Sequence, residues 1–107
     1  MTPKDRERKL FMEHVMCDDR RRKIFKEFAQ TYPEYLTGYT ISKKLGINAS
    51  FVMKRIAEGV DDGFLEYKLD AKTKQLLHDL NIDPKKKEAR STDLGHALFN
   101  EHLTLFC

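Results

Sequence analysis

Three side chains near the middle of the sequence have the types and spacing needed to contact the edges of DNA bases. Ser50, Lys54 and Arg55 lie within the stretch ASFVMKRI, and in a helix they would point away from the core. Arginine and lysine are the commonest partners of guanine in the major groove. The opposite face carries an apolar stripe: Val52, Ile56 and Val60. The pattern predicts an exposed helix face that contacts bases.

Basic residues precede and follow these three side chains, where they could neutralise phosphates. Phe51 packs either on a thymine methyl group or sugar, or on the core. Glu58 is expected to neutralise Arg55 or Lys54 through helical spacing. Each cation alone is more commonly part of a solvated surface, and only their joint placement favours nucleic acid. The predicted DNA-contacting residues are Lys43, Lys44, Asn48, Ser50, Phe51, Lys54, Arg55, Lys85, Lys86, Lys87 and Arg90.

Helical periodicity predicts two helices before the segment that contains Ser50, Lys54 and Arg55. Apolar residues at helical spacing predict a first helix over Pro3–Met16. A second helix is expected to begin at Asp18 or Asp19, either of which suits an N-cap, and to end before Pro33. Its apolar face consists of Ile24, Phe25, Phe28, Ala29 and Tyr32.

Two shorter helices are predicted next, joined at a glycine. Thr40 is expected to cap a helix that runs to Leu45, and Gly46 to end it in the left-handed conformation. Asn48 has a suitable side chain to cap the following helix, 49–60. Two helices around a tight glycine turn form a helix-turn-helix, which is also an ordinary way to pack two helices.

A hairpin and a final helix complete the pattern. Alternation after Gly63 predicts a strand over Phe64–Leu69, and KKKEARS is a weaker candidate for the returning strand. The basic segment between them is either a long hairpin loop or a loop with a helical turn of its own. Thr92 is expected to cap a last helix that is apolar on more than one face, which indicates a further packing partner.

The composition indicates a folded intracellular protein. The chain has 107 residues, of which 40% are apolar and 35% charged, so it excludes disordered and membrane classes. No apolar run approaches the roughly 18 residues of a membrane span, and the charged start MTPKDRERKL is unlike a signal peptide. A cytoplasmic location is expected. The net charge of +3 permits nucleic-acid binding without requiring it.

Cysteines and histidines give no clear metal site. Cys17 and Cys107 are expected to be free thiols. His14 with Cys17 and His102 with Cys107 would supply four ligands if the terminal helices lay side by side, but neither pair closely matches a zinc pattern. The sequence also has no P-loop, glycine-rich phosphate cradle or recognisable pairing of carboxylates with histidine. We therefore expect no cofactor, no metal and no enzymatic activity.

The order of these elements resembles the MarR family of bacterial regulators, which have a winged helix-turn-helix fold. The resemblance rests on ISKKLGINASFVMKRI, DDGFLEY and DPKKKEARSTDLG. It implies that the helix after Gly46 enters the major groove, that Lys85–Lys87 form a wing tip, and that STDLG opens a dimerising C-terminal helix. The chain departs from the family at Arg55 and Gly59, where apolar residues are usual, and at Ser91, which replaces a leucine.

The prediction is therefore a mainly α-helical winged helix-turn-helix with a small β-hairpin. Residues 1–17 and 92–107 would be dimerisation helices, 18–63 a three-helix core and 64–91 the wing. The resemblance implies a homodimeric transcriptional regulator, most simply a repressor, that reads a roughly palindromic duplex with half-sites about one helical turn apart. The expected dimer contacts are Leu10, Phe11, Val15, Leu98, Phe99, Leu103 and Phe106.

A winged helix that docks on other proteins is the alternative function. In that case the same fold would bind transcription or replication machinery without reading DNA sequence. Leu76, Leu77 and Leu80 in the extended wing would supply contacts with the partner. Salt-dependent binding of duplex DNA separates the two hypotheses.

Overall fold

Helices make up most of the structure, as the sequence predicted. The computed structural model describes residues 2–68 and 88–102, and it adds a three-stranded antiparallel sheet to the helices. The helical elements are α1 (Asp5–Phe11), a π-helical segment (Met12–Met16), α2 (Asp19–Thr31), α3 (Gly38–Leu45), α4 (Ala49–Asp61) and α5 (Asp93–His102). The strands are β1 (Leu36–Thr37), β2 (Leu65–Tyr67) and β3 (Glu88–Ser91).

The predicted first helix is present but changes its geometry at Phe11. It begins at Asp5 instead of Pro3, and Met12–Met16 continue it as a π-helix. The backbone N–H of Lys4 donates to Glu7 Oε1 at 2.8 Å, which stabilises the first turn. Phe11, Val15 and Met16 are buried on the face that meets the rest of the chain.

Helix α2 confirms the prediction most closely. It begins after Asp18 and buries Ile24, Phe25 and Phe28. Proline at position 33 follows shortly after its end at Thr31, as expected for a residue that disfavours helical backbone before it.

The two predicted helices on either side of Gly46 are present, but the first begins earlier than expected. Thr37, and not Thr40, is the N-cap of α3: the backbone N–H of Thr40 donates to Thr37 Oγ1 at 3.1 Å. Gly46 ends α3 with φ 68°, a left-handed conformation that glycine adopts without steric cost. Asn48 then caps α4 as predicted, since its Oδ1 accepts the N–H of Ser50 at 2.8 Å.

The sheet contains both predicted strands and one that the sequence did not reveal. Its order is β1-β3-β2, with β3 antiparallel to both neighbours. Leu36 pairs with Ala89 and Glu66 with Arg90. Strand β1 lies in a segment that the sequence indicated only as a connector. The predicted wing tip and its leucines, together with Leu69, lie outside the described residues.

Helix α5 is held at its start by the predicted cap. Thr92 Oγ1 accepts the N–H of Gly95 at 3.0 Å and donates to the carbonyl of Gly63 at 2.6 Å, so it ties α5 to the turn after α4. The Phe99 ring lies 5.2 Å from that of Phe11 and 5.5 Å from that of Phe25. Helix α5 therefore packs on both α1 and α2.

Most of the expected dimer contacts are instead part of this chain's own core. Phe11, Val15, Leu98 and Phe99 are all 0% exposed, so their assignment to a surface between two chains is wrong. The two terminal helices do pair, but within one chain, where Arg8 Nε lies 2.7 Å from Glu101 Oε1. Leu10 is partly buried. Leu103 and Phe106 lie outside the described residues.

Across residues 2–68 and 88–102, no helix is both long enough and apolar enough to cross a membrane.

Candidate nucleic-acid interface

Helix α4 presents a narrow outward face. Val52, Ile56 and Gly59 are buried, which fixes the rotation of the helix. The residues exposed on the opposite side are Ser50, Lys54, Ala57 and Asp61. Ser50 and Lys54 thus occupy the outward positions that the sequence predicted.

Arg55 does not share that outward face. Its side chain is only 13% exposed, and its Nη2 lies 2.9 Å from Glu58 Oε1. Because residues in a helix follow each other at about 100°, Arg55 lies between the outward face and the core. The prediction that Arg55 points away from the core is therefore wrong, whereas the predicted pairing with Glu58 is confirmed.

Gly59 explains how α4 packs so closely against the sheet. A Cβ atom at this position would lie 2.8 Å from Leu65 Cδ1 and 3.0 Å from Phe25 Cζ. These two side chains fill the space that a larger residue at position 59 would occupy.

The two helices around Gly46 lack acidic side chains over most of their length. From Gly38 to Ala57 the sequence contains no aspartate or glutamate but has four basic residues, Lys43, Lys44, Lys54 and Arg55. The amino end of α4 adds the partial positive charge of a helix N-terminus. The first acidic side chain in α4 is Glu58, in its carboxyl half. The basic side chains of this stretch therefore lie on α3 and in the middle of α4.

The two lysines of α3 have different environments. Lys43 is exposed, lies 4.8 Å from the ring centroid of Tyr39 and makes no ion pair with a described residue. Lys44 Nζ donates to Glu27 Oε2 at 2.8 Å. Glu27 is largely buried, so Lys44 partly neutralises a carboxylate of α2. Lys43 is consequently the better placed of the two for a phosphate.

Arg20 is a candidate that the sequence did not single out. Its guanidinium carbon lies 4.2 Å from the ring centroid of Phe51, and that of Arg55 lies 5.0 Å from the same centroid. Cation–π contacts at exposed sites are worth about 0.5–1 kcal/mol each. Phe51 also packs against the core. Arg20 belongs to the run RRRK at the start of α2, and only the tertiary structure brings it to α4.

The described part of the predicted wing carries cations that are already paired. Arg90 Nε donates to Glu66 Oε1 at 2.7 Å, and this hydrogen bond raises the pKa of Arg90 above its ordinary value. Its guanidinium also lies 4.7 Å from the Tyr35 ring centroid. Lys68 lies 3.5 Å from Glu88. Lys85, Lys86 and Lys87 lie outside the described residues.

A polar cavity of about 250 Å³ lies between the sheet and the start of α5. Tyr32 OH donates to Asp93 Oδ1 at 2.9 Å, which raises the pKa of Tyr32, and the Tyr32 ring stacks on His96 at 3.8 Å. The remaining lining residues are Glu66, Arg90 and Ser91. The lining of this cavity is therefore predominantly polar.

The potential metal ligands are engaged in other contacts. His14 Nδ1 lies 2.7 Å from Asp62 Oδ2, and Cys17 Sγ donates to the carbonyl of Glu13 at 2.7 Å. His102 Nδ1 lies 3.1 Å from the carbonyl of Leu98. Within the described part of the chain, no group of three or more histidine, cysteine, aspartate or glutamate side chains could hold a metal ion. Cys107 lies outside it.

The fold therefore places Ser50 and Lys54 on the outward face of α4, leaves Lys43 exposed on α3, and brings Arg20 to Phe51 of α4. Lys44, Arg55 and Arg90 are paired with carboxylates. Asn48 is exposed at the amino end of α4, where its side chain caps the helix. Comparison of the chain with protein-family models, with curated proteins and with solved structures finds no match.

Proposed function

We propose that the chain is a winged helix-turn-helix protein that binds duplex DNA, with α4 as the reading helix and β2–β3 as the base of the wing. The element order supports this proposal. A short strand, β1, separates the first core helix α2 from the helix-turn-helix, and it pairs with β3 of the strand pair that follows. This arrangement fits the winged helix-turn-helix that the sequence suggested through its resemblance to the MarR family.

The observation that carries the DNA-binding proposal is the acid-free surface of α3 and of the amino-terminal half of α4. A helix that enters the major groove approaches phosphates on both sides, so acidic side chains there would be repelled. The stretch from Gly38 to Ala57 has none. The acidic residues Glu58 and Asp61 lie further along α4, which favours insertion of its amino-terminal half first.

Ser50 and Lys54 are the proposed base readers. Both are exposed on the outward face of α4, one turn apart. Lysine donates to guanine O6 and N7, and serine can donate to or accept from several bases. Ala57, one turn further along, presents a methyl group suited to contact with thymine. Arg55 is not a reader in this proposal because Glu58 holds its guanidinium.

Transcriptional regulation is the biological role we propose for this binding. A protein on a promoter would block polymerase, which gives repression. A palindromic target requires two chains related by a two-fold axis. Their contacts would come from exposed positions such as Met12, which is 42% exposed, and Leu10, instead of the buried aromatic residues of α1 and α5.

Docking on another protein is the second candidate, and the ion pairs favour it. Lys44, Arg55, Lys68 and Arg90 each pair with a glutamate of the same chain. Such pairing lowers the positive potential available for DNA. A surface with balanced charges suits a protein partner better than a polyanion.

Substitution of the readers tests the proposal. A duplex sequence is first selected from a random pool with the wild-type protein. Lys54→Ala combined with Ser50→Ala should then reduce affinity for the selected duplex by about tenfold or more relative to a scrambled duplex, because base contacts give discrimination. Fluorescence anisotropy measures both affinities.

Lys9→Ala is the matched control, since Lys9 is an exposed lysine of α1 that has no ion pair among the described residues. It removes one positive charge and should leave the affinity ratio unchanged. Circular dichroism should show the same helical content in all variants. An unchanged ratio in the Lys54 and Ser50 double variant would remove both residues as readers.

A further inference from the structure

The first turn of α2 contains four consecutive basic residues, and their ion pairs are unevenly distributed. Asp18 Oδ2 lies 3.9 Å from Arg21 Nε, and Asp19 pairs with Arg22 at 3.2 Å and with Lys23 at 3.1 Å. Both nearby carboxylates are therefore occupied. Within the described chain, Arg20 is the cation of this run that pairs with no carboxylate.

Phe51 of α4 holds this unpaired guanidinium. The guanidinium carbon of Arg20 lies 4.2 Å from the Phe51 ring centroid, while the residue itself is exposed. An arginine stacked on an aromatic ring keeps its N–H groups free in the plane of the guanidinium. Arg20 is thus a charged group with a defined position and no acidic neighbour to satisfy it.

Arg20 lies beside the reading face of α4, on the side away from α3. Met53 packs against Gly38 of α3, where a Cβ atom on the glycine would lie 3.1 Å from Met53 Cγ. Met53 and Phe51 are about 200° apart around a helix. Ser50 and Lys54 lie between them on the outward side. The reading face therefore has α3, which carries the exposed Lys43, on one side and Arg20 on the other.

We propose that Arg20 contacts a phosphate of duplex DNA beside α4, and that Phe51 positions its guanidinium for this contact. This inference rests on the proposed DNA binding. Phosphates line both edges of the major groove, so a helix in the groove needs cations on both of its sides. Lys43 supplies one side and Arg20 the other. Arg55 contacts the same ring but is occupied by Glu58, so it supports Phe51 and does not reach the DNA.

Salt dependence of binding tests the role of Arg20. Arg20→Ala should weaken binding several-fold at low salt, by the same factor for a selected and a scrambled duplex. It should also reduce the slope of log K against log salt concentration by about 0.9, the value for one phosphate contact. Arg6→Ala is the control, because Arg6 is an exposed arginine of α1 without an ion pair among the described residues. Its slope should equal that of the wild type.

A double-mutant cycle tests the role of Phe51. Phe51→Leu removes the ring but keeps an apolar side chain against the core. It should weaken DNA binding when Arg20 is present and have little further effect in the Arg20→Ala background. Independent, additive effects in a folded protein would overturn the positioning role.

The outcomes separate this inference from the function on which it depends. If the wild-type protein does not bind duplex DNA, the proposed function fails. If the wild type binds with a clear salt slope but Arg20→Ala keeps that slope, the function stands and the Arg20 contact is overturned. A slope that falls equally in Arg20→Ala and Arg6→Ala would also overturn it, since the effect would then come from net charge.

Discussion

Replacement of Gly95 with alanine is expected to destabilise the fold by about 3 kcal/mol, the upper range for a side chain forced into a packed site. The added Cβ would overlap the carbonyl oxygen of Phe64 and lie 2.8 Å from its carbonyl carbon. That oxygen also accepts the N–H of Thr92 at 3.1 Å. Because the atoms it would meet belong to the Phe64 backbone, which cannot rotate aside, α5 would have to move away from the residue that precedes β2.

Urea unfolding followed by circular dichroism measures this loss of stability. Gly46→Ala is the control: Gly46 has φ 68°, but a Cβ atom there meets no atom within 4 Å. Its cost should be about 1 kcal/mol, from the left-handed backbone alone. Equal stability of the two variants would contradict the close approach of α5 to Phe64.

Phe99→Ala is expected to lower the free energy of unfolding by about 4 kcal/mol. Its ring is 0% exposed and contacts the rings of Phe11 and Phe25. A domain of this size has a total stability of about 5–15 kcal/mol, so the variant should be close to unfolding. Leu10→Ala, at a partly buried position, should cost only about 1 kcal/mol.

Phe99→Ala also distinguishes a core position for Phe99 from a position in an interface between two chains. Chemical unfolding gives the stability, and sedimentation of the folded protein gives its mass. A core position predicts a large loss of stability with an unchanged mass in the remaining folded protein. A variant of normal stability that sediments with a smaller mass than the wild type would place Phe99 between two chains.

Local signals in the sequence were sufficient to predict helices α3 and α4 and the turn between them. Gly46 and Asn48 act through their own backbone or the next few residues, so sequence alone reveals them. The same holds for Thr92, which caps α5. The extents of α2 and α4 follow from apolar residues at helical spacing, because these residues form the face of each helix that packs on the core.

Strand β1 could not be predicted in this way. Two residues are too few for an alternating pattern, and the partner strand β3 lies about fifty positions later in the chain. The position of the α3 cap, at Thr37 instead of Thr40, has a related cause. Thr37 and Thr40 are both suitable residue types, and the choice depends on where β1 ends.

Tertiary contacts also decided which predicted site residues are free. Arg55 looked like a base reader by residue type, yet the rotation of α4 buries most of it beside Glu58. Arg20 is far from α4 in the sequence, yet the fold brings its guanidinium to the Phe51 ring. Apolar periodicity likewise marks a buried face without indicating whether the same chain or a second one covers it, which is why Leu98 and Phe99 were assigned to a dimer.

The most direct test of the central proposal is a fluorescence-anisotropy titration of a random-sequence duplex at two salt concentrations. We assume contacts to three phosphates, from Arg20, Lys43 and one wing lysine. A rise in salt concentration from 50 to 200 mM should then weaken binding about 40-fold. Measurable binding at low salt with a loss of this order is the predicted result. No binding at low salt by a folded protein would contradict DNA binding and favour a protein partner.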